Sequence, residues 1–510
     1  MNIDYQYINE LTNLLGGLDD QIGGIEKSPQ AYPLDKDIRN RLDELKGLVT
    51  ENATEYAIYQ HHDKVQQLWI ELIKKSIQCL RYFDVREPFV NNETKHPLAY
   101  GISQLDAYYR KYRDFENVMY GGVKYYRDHV VHVVRVWLLG CVVLLRNDCA
   151  YMNNIMIDEE CTINPYEKLS IWTLIALTHD LGYPLEKASK IIDTTRDMMT
   201  AFISNPVVSM DLSFNGVQNS MNDFILRLMS SKMHKISGEA NEVKEAKEAK
   251  AEKAEKKEEG AKYVARLQSK YYFKFQKSLE HNKHGVLSAI IIYKLLLYFL
   301  ESDFTINEDY TFKQNDVKQF YIRRDILRAI ASHTCSDVYQ MDQNSFSFLL
   351  IICDDAQTWG RKGISELYVN KKSQYDFKGI NFEVENGTWR ISDSYDINED
   401  ADANNVLTSF KRQCMNYMAI FRDGQETTNR NFNFIWNMSL KVKNVTLLVV
   451  FTANKNERIQ IELRNIPVDE KDLNSVKDVI SYFDDIYDYH AQQEPNDNQV
   501  HVCDFIKAEI

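Results

Sequence analysis

Histidines and aspartates recur along this 510-residue chain at the edges of segments that are otherwise apolar. In Ile175-Ala176-Leu177-Thr178-His179-Asp180-Leu181-Gly182-Tyr183-Pro184, an imidazole and a carboxylate stand side by side at the end of a helix-like run. Upstream, Arg127-Asp128-His129-Val130-Val131-His132 carries two histidines three apart, a spacing that places both on one helix face. Downstream come Glu280-His281-Asn282-Lys283-His284-Gly285, Ala329-Ile330-Ala331-Ser332-His333 and Cys353-Asp354-Asp355-Ala356-Gln357-Thr358-Trp359-Gly360-Arg361. Adjacent imidazole and carboxylate can grip one divalent cation or bridge two. The donor set suits Mn, Fe, Co, Ni or Zn, whereas Mg prefers a site poorer in histidine. Two ions about 3.5 to 4 Å apart acidify a water and hold phosphate oxygens for in-line attack, so hydrolysis needs no serine or cysteine nucleophile.

Five helices must bring these residues together. His132 and His284 stand where apolar helices begin, and His179, His333 and Asp354 where three others end. The apolar stretches Val130 to Leu145 and Gly285 to Leu300 contain Arg135 and Lys294 and are short for a membrane span, so they read as buried core helices. Residues 1–100 read as a helical N-terminal region, best marked over Glu55 to Phe83. His61-His62 lies there among polar residues and reads as surface. Residues 101–365 alternate apolar helices with polar connections, interrupted by Glu239 to Lys262, almost wholly Glu, Lys and Ala. That segment has helix propensity and i,i+4 charge pairs but no apolar stripe, so it is expected as a solvated helix or mobile insertion.

After Arg361 the texture changes. Asn381 to Val384, Thr388 to Ile391, Phe432 to Val442, Thr446 to Thr452 and Arg458 to Leu463 alternate like antiparallel strands, with Asn386-Gly387 as a hairpin turn. Val406 to Phe421 and Asp472 to Tyr487 read as helices. Residues 366–510 are therefore expected to form an α+β domain with a regulatory or oligomerisation role, and the chain as a whole to be a multidomain α+β protein.

Composition sets the outer limits. There are 61 Lys and Arg against 74 Asp and Glu, a net charge of −13, which disfavours a general nucleic-acid surface. A small phosphate-bearing ligand remains compatible, because a bound metal reverses the local sign. The eight cysteines are scattered, without a C-x-x-C pair, which suits a reducing cytosol. No signal peptide is evident, so a cytoplasmic protein without membrane attachment is expected, with a nucleotide and a second copy of itself as candidate partners.

The ordered set His, His-Asp, His, His, Asp resembles the HD-domain superfamily of metal-dependent phosphohydrolases over about residues 105–365. Its details agree: Val136 four residues after His132, the His-Asp-Leu-Gly turn, the His-Gly-x-x-Ser-Ala helix start, the Ala-Ile-x-x-His segment, and a final Asp followed by Trp-Gly-Arg. The resemblance implies a mainly helical core. It further implies that His132, His179, Asp180 and Asp354 ligate the principal metal. His284 and His333 match the additional histidines of members with two metals, in which the Asp of the His-Asp pair bridges both. His129 also has Val four residues on and competes with His132 as first ligand. His132 is favoured, with His129 then lying behind the ligands or at the substrate. Asp180, His179 and Lys187 are the expected catalytic residues, and Arg127, Lys283, Arg361 and Tyr183 the remaining candidates for substrate contact. Tyr183 and Trp359 could stack on a base.

Two branches fit less well. Deoxynucleotide triphosphohydrolases continue H-D-x-G-H-x-P-F-x-H, whereas here Tyr183 replaces that next histidine and Pro184-Leu185-Glu186-Lys187 follows. Cyclic-dinucleotide phosphodiesterases carry H-D-x-G-K and a later G-Y-P, which this chain lacks. The expectation is a hydrolase that cleaves a phosphoester or phosphoanhydride of a nucleotide through a metal-activated water. The alternatives are a divergent dNTP triphosphohydrolase, by analogy in phage defence, and a catalytically silent nucleotide-binding or interaction module.

Overall fold

The computed structural model describes residues 2–21, 34–54, 56–82, 101–122, 127–158, 161–201, 203–204, 217–236, 262–300, 311–312, 314–335, 344–361, 375–385, 388–397, 433–442, 445–454, 458–464, 487–492 and 500–507. They are mostly helical, with two sheets.

The helical part begins with α1 (Ile3–Gln21), α2 (Lys36–Val49) and α3 (His62–Tyr82), with a 3-10 turn (Ala57–His61) before α3. Their apolar stripes, such as Ile38, Leu42, Leu45 and Val49 of α2, recur at helical spacing and are buried. Asp35 caps α2 by accepting from the backbone N–H groups of Asp37 and Ile38. His61 and His62 are half-buried here rather than solvated.

Then follow α4 (Ile102–Gly122), α5 (His132–Asn154), α6 (Pro165–Thr178), α7 (Tyr183–Met199) and α8 (Val217–Met229). Helices α5 and α6 form the centre of the core, apolar on nearly every side. The start of α6 is fixed by a capping box between Asn164 and Glu167 with Pro165 in the first turn. The indole of Trp69 on α3 donates to Leu177 O at 2.8 Å, tying α3 to the last turn of α6.

Two short strands, β1 (Ser231–Ile236) and β2 (Lys262–Leu267), pair antiparallel around the charged insertion, a hairpin that the polar sequence there did not suggest. The insertion itself, up to residue 261, lies outside the described residues. Helices α9 (Ser269–Glu280), α10 (His284–Leu295), α11 (Leu297–Leu300), α12 (Gln314–Ser332) and α13 (Phe346–Ala356) complete the helical part. No helix among the described residues is long and apolar enough to cross a membrane.

The second sheet has seven strands in the order β3-β4-β5-β6-β7-β9-β8: β3 (Tyr375–Glu385), β4 (Thr388–Ile397), β5 (Asn433–Val442), β6 (Val445–Asn454), β7 (Arg458–Arg464), β8 (Tyr487–Gln492) and β9 (Val500–Lys507). The five expected strands are present, and β3 is longer than its alternation suggests. The sheet is mixed: β4 and β5 run parallel, which corrects the antiparallel expectation for this pair. Parallel neighbours need a crossover connection. The helix expected at Val406 to Phe421, the turn Asn386-Gly387 and all but the last residue of the helix expected at Asp472 to Tyr487 lie outside the described residues. Tyr487 itself opens β8, and β8 and β9 were not anticipated.

The first strand of this sheet docks on the helices. Arg146 of α5 holds Glu10 of α1 by two bonds of 2.5 and 2.8 Å and donates to Ile380 O of β3 at 2.9 Å. Ile380 N donates to the Tyr7 hydroxyl of α1 at 3.3 Å.

Close approach of α5 to α6 depends on Gly140. A Cβ there would lie 2.0 Å from the Trp172 ring, and Trp172 is held by its own bond to Trp137 O at 3.0 Å. Gly140→Ala is expected to lower stability by about 1–3 kcal/mol through overpacking. The check is a drop in the urea midpoint with the helical circular dichroism signal retained.

Candidate metal centre

Four imidazoles meet at the ends of four helices. His132 and His284 are the first residues of α5 and α10, while His179 and His333 directly follow the last residues of α6 and α12. Helix ends leave backbone groups without intrahelical partners, and these groups orient the rings. Nδ1 of His179 donates to Ala176 O at 2.8 Å, and Nδ1 of His333 to Ile330 O at 2.6 Å, the same three-residue back-reach in both. At the two helix starts, carboxylates take the backbone: Asp128 accepts His132 N at 3.1 Å, and Glu186 accepts His284 N at 2.9 Å.

The remaining two rings are fixed by side chains. Nδ1 of His284 donates to Glu186 Oε2 at 2.6 Å. Nδ1 of His132 lies 2.5 Å from Gln357 Oε1, and the Gln357 amide N–H donates to Trp359 O at 2.7 Å. Because that carbonyl can only accept, the amide orientation is settled and Nδ1 of His132 carries the hydrogen.

With every Nδ1 committed outward, every Nε2 faces inward onto two aspartates. His132 Nε2 is 2.8 Å from Asp354 Oδ1 and 3.8 Å from Asp180 Oδ2. His179 Nε2 is 3.4 Å from Asp180 Oδ2 and 3.7 Å from Asp354 Oδ1. His284 and His333 approach the other oxygen, Asp180 Oδ1, at 3.2 and 3.5 Å. Asp180, between α6 and α7, thus faces all four rings and offers a different oxygen to each side.

These are contacts between acceptors unless a cation joins them. The Nε2 atoms of His179 and His333 are buried and have no hydrogen-bond partner among the described residues. The ligand atoms of His132, His179 and Asp354 lie within 4.8 Å of one another, as do those of His179, Asp180 and His333. Two such groups sharing His179, with inward lone pairs and hydrogen-bonded far sides, fit one or two divalent ions of the imidazole-preferring kind.

The electrostatics agree. Burial works against both carboxylates, yet His179 and His284 hold Asp180, and His132 and His179 hold Asp354, well below the usual carboxylate range. Burial also opposes the imidazolium of His284, but Asp180 and Glu186 outweigh it and lift its pKa to about 9; Asp180 and Asp354 likewise raise His179. Burial lowers His132 and His333, which stay neutral. The proton on His284 stands where a metal's charge would act.

The six expected ligands therefore gather at one place. Asp180 is 5% exposed, His284 16% and Asp354 27%, so the centre opens on the Asp354 side. Asp355 is half-buried and belongs to neither group. His129 corrects the one-face expectation: it precedes α5, and its ring stacks on Tyr183 with centroids 3.7 Å apart while meeting the His132 ring edge-on at 6.1 Å. Burial holds His129 well below its ordinary pKa.

At the rim, Arg361 donates through Nε to Asp128 O at 3.1 Å and brings Nη1 to 3.5 Å from His132 Nε2. Lys187 pairs with Glu186 and lies over the Tyr183 ring at 4.7 Å. Arg127 and Lys283 are exposed. Neither aromatic offers an open stacking face of the expected kind. Tyr183 is engaged by His129 and Lys187, and Trp359 is buried, stacked on Tyr7 with centroids 5.4 Å apart.

Four further contributors escaped the sequence reading. Glu186 and Gln357 hold the far sides of His284 and His132; Gln357 lies three residues after Asp354, a spacing that could have suggested it. Ser288 accepts Gly182 N at 2.8 Å, and a Cβ on Gly182 would come 2.5 Å from His284 O, so the turn after the His-Asp pair packs directly on α10. Glu116 of α4 accepts His129 N and Val130 N at 2.8 and 3.3 Å, anchoring the approach to α5.

Metal ligation requires unprotonated imidazole, so loading competes with protons. At pH 7 the binding of Mn is expected to release about one proton or more, because His284 titrates near 9 when metal-free. Affinity then rises with pH up to that value. Calorimetry in buffers of different ionisation enthalpy reads the released protons, and a heat independent of buffer would contradict the assignment.

Set against protein-family models, curated proteins and solved structures, the chain matches none of them.

Proposed function

We propose that this chain is a metal-dependent phosphohydrolase of the HD type, acting on a phosphoester or phosphoanhydride bond of a nucleotide. The observation that carries the reading is the inward set of four Nε2 lone pairs on Asp180 and Asp354, with each Nδ1 bonded away from the centre. When bound, divalent ions supply Lewis acidity toward a phosphate and an acidified water as nucleophile. His132, His179 and Asp354 would hold one ion, His284 and His333 the other, with Asp180 between.

The protein's own cations supply the anion-binding rim. Arg361, held at the mouth by Asp128 O, presents its guanidinium beside the centre, where bidentate contact with a phosphate is available. Lys187 of α7, paired with Glu186, is proposed to reach the same substrate. His129, kept neutral by burial and stacked on Tyr183, lies near Asp180 and is proposed to stand behind the ligands or against the substrate. Tyr183 supports a bond other than that cut by dNTP triphosphohydrolases, since the residue in that position is a ring packed on His129 and not a free imidazole.

The reading extends to the rest of the chain. Residues 366–510 are proposed as a separate regulatory or oligomerisation domain. Cys79, Cys141, Cys149, Cys161, Cys335 and Cys353 are buried and unbridged, which supports a cytoplasmic location.

Purified protein loaded with Mn is expected to hydrolyse at least one member of a panel of nucleoside triphosphates, dinucleoside polyphosphates and cyclic nucleotides, with products resolved by chromatography. Asp180→Asn is expected to abolish turnover and metal retention. Arg361→Ala is expected to raise KM about tenfold with metal content unchanged, the loss of one charge-assisted contact. Full metal occupancy without turnover of any panel member would favour a silent nucleotide-binding module; absence of bound transition metal would overturn the hydrolase.

A further inference from the structure

Arg135 lies one turn beyond His132 on α5 and is 1% exposed, as is its partner Asp4 on α1. The guanidinium meets Asp4 in a fork, with Nε to Oδ1 at 2.8 Å and Nη2 to Oδ2 at 2.7 Å. Its third nitrogen, Nη1, donates to Trp359 O at 3.2 Å, the same carbonyl that receives the Gln357 amide. The Trp359 indole returns to Asp4, donating to Oδ1 at 2.9 Å. Gly360 closes over the fork in the left-handed region at φ +67°, where a Cβ would lie 2.4 Å from the guanidinium, and its carbonyl accepts the Tyr59 hydroxyl at 2.9 Å.

The segment from Gln357 to Arg361 is therefore shaped around this buried pair. It delivers two groups to one imidazole: the Gln357 carbonyl to Nδ1 of His132 and the Arg361 guanidinium near its Nε2. A buried ion pair is weak evidence for stability, since apolar replacements of similar volume are often neutral or better. Orientation is the effect such a pair is suited to supply when, as here, its bonds run through Trp359 O and the Gln357 amide to the ring of His132.

We propose that Asp4 is a positioning residue of the metal centre: through Arg135, Trp359 and Gln357 it sets the ring of His132, so that the first helix is part of the site. The inference rests on reading His132 as a metal ligand. Side chains standing behind ligands typically change metal affinity 10- to 100-fold when removed. A group acting through Gln357 must also be coupled to it.

The test uses the full-length protein loaded with Co(II), whose visible absorption reports ligand geometry, with affinity measured by titration and folding by circular dichroism. Asp4→Asn is expected to weaken Co(II) binding about tenfold and alter the spectrum. Gln357→Leu should do the same, and the double variant should lose no more than the worse single one. Trp359→Phe, which keeps the packing on Tyr7 and removes only the indole bond to Asp4, should weaken binding several-fold and serves if Asp4→Asn does not fold. A folded Asp4→Asn or Trp359→Phe protein with unaltered affinity and spectrum overturns the proposal, as do additive losses in the double variant. Failure of the unsubstituted protein to bind Co(II) at all would instead overturn the metal reading beneath it.

Discussion

Two ionised carboxylates, Asp180 and Asp354, occupy one pocket with four imidazoles, and that crowding governs the helical part of the molecule. Bringing a carboxylate out of water costs several kcal/mol unless charge and hydrogen bonds compensate. Here the neighbours are lone pairs, which repel unless a cation intervenes. Without a metal, the carboxylates favour the imidazolium of His284 and raise the pKa of His179. A divalent ion would satisfy it more fully, since it would draw on several of the lone pairs at once.

The same requirement explains why the ligands stand at helix ends. The terminal carbonyls Ala176 O and Ile330 O, freed from intrahelical bonding, receive the ring N–H groups of His179 and His333. At the helix starts, Asp128 and Glu186 cap backbone N–H groups and bring additional negative charge near the centre. Helix termini thus provide both the orientation of each ring and part of the field around it.

What could be read from the sequence follows from how local each signal is. The start of α10 and the ends of α6, α12 and α13 were legible because an apolar run stops or begins at a chemistry-bearing residue, whereas the start of α5 was not, since His129 was expected on the same helix face as His132. His129 misled because three-residue spacing implies one face only once the helix has begun, and α5 begins at His132. The hairpin β1–β2 and the parallel pair β4–β5 depend on pairing between distant segments, to which alternation within a strand is blind. Asp4 carried no local signal at all: its partners are 131 and 355 residues away.

Those separations bear on biosynthesis. His132 and Asp354 touch across 222 residues, and the Trp359 indole closes on Asp4 only when nearly the whole helical part has been made. Contacts of such span require a large loop-closure entropy and form late. A nascent or truncated chain holds an incomplete donor set, so a cation bound at this centre would be taken up at the end of folding rather than during it. Were an ion held there, its occupancy would distinguish finished molecules from unfinished ones.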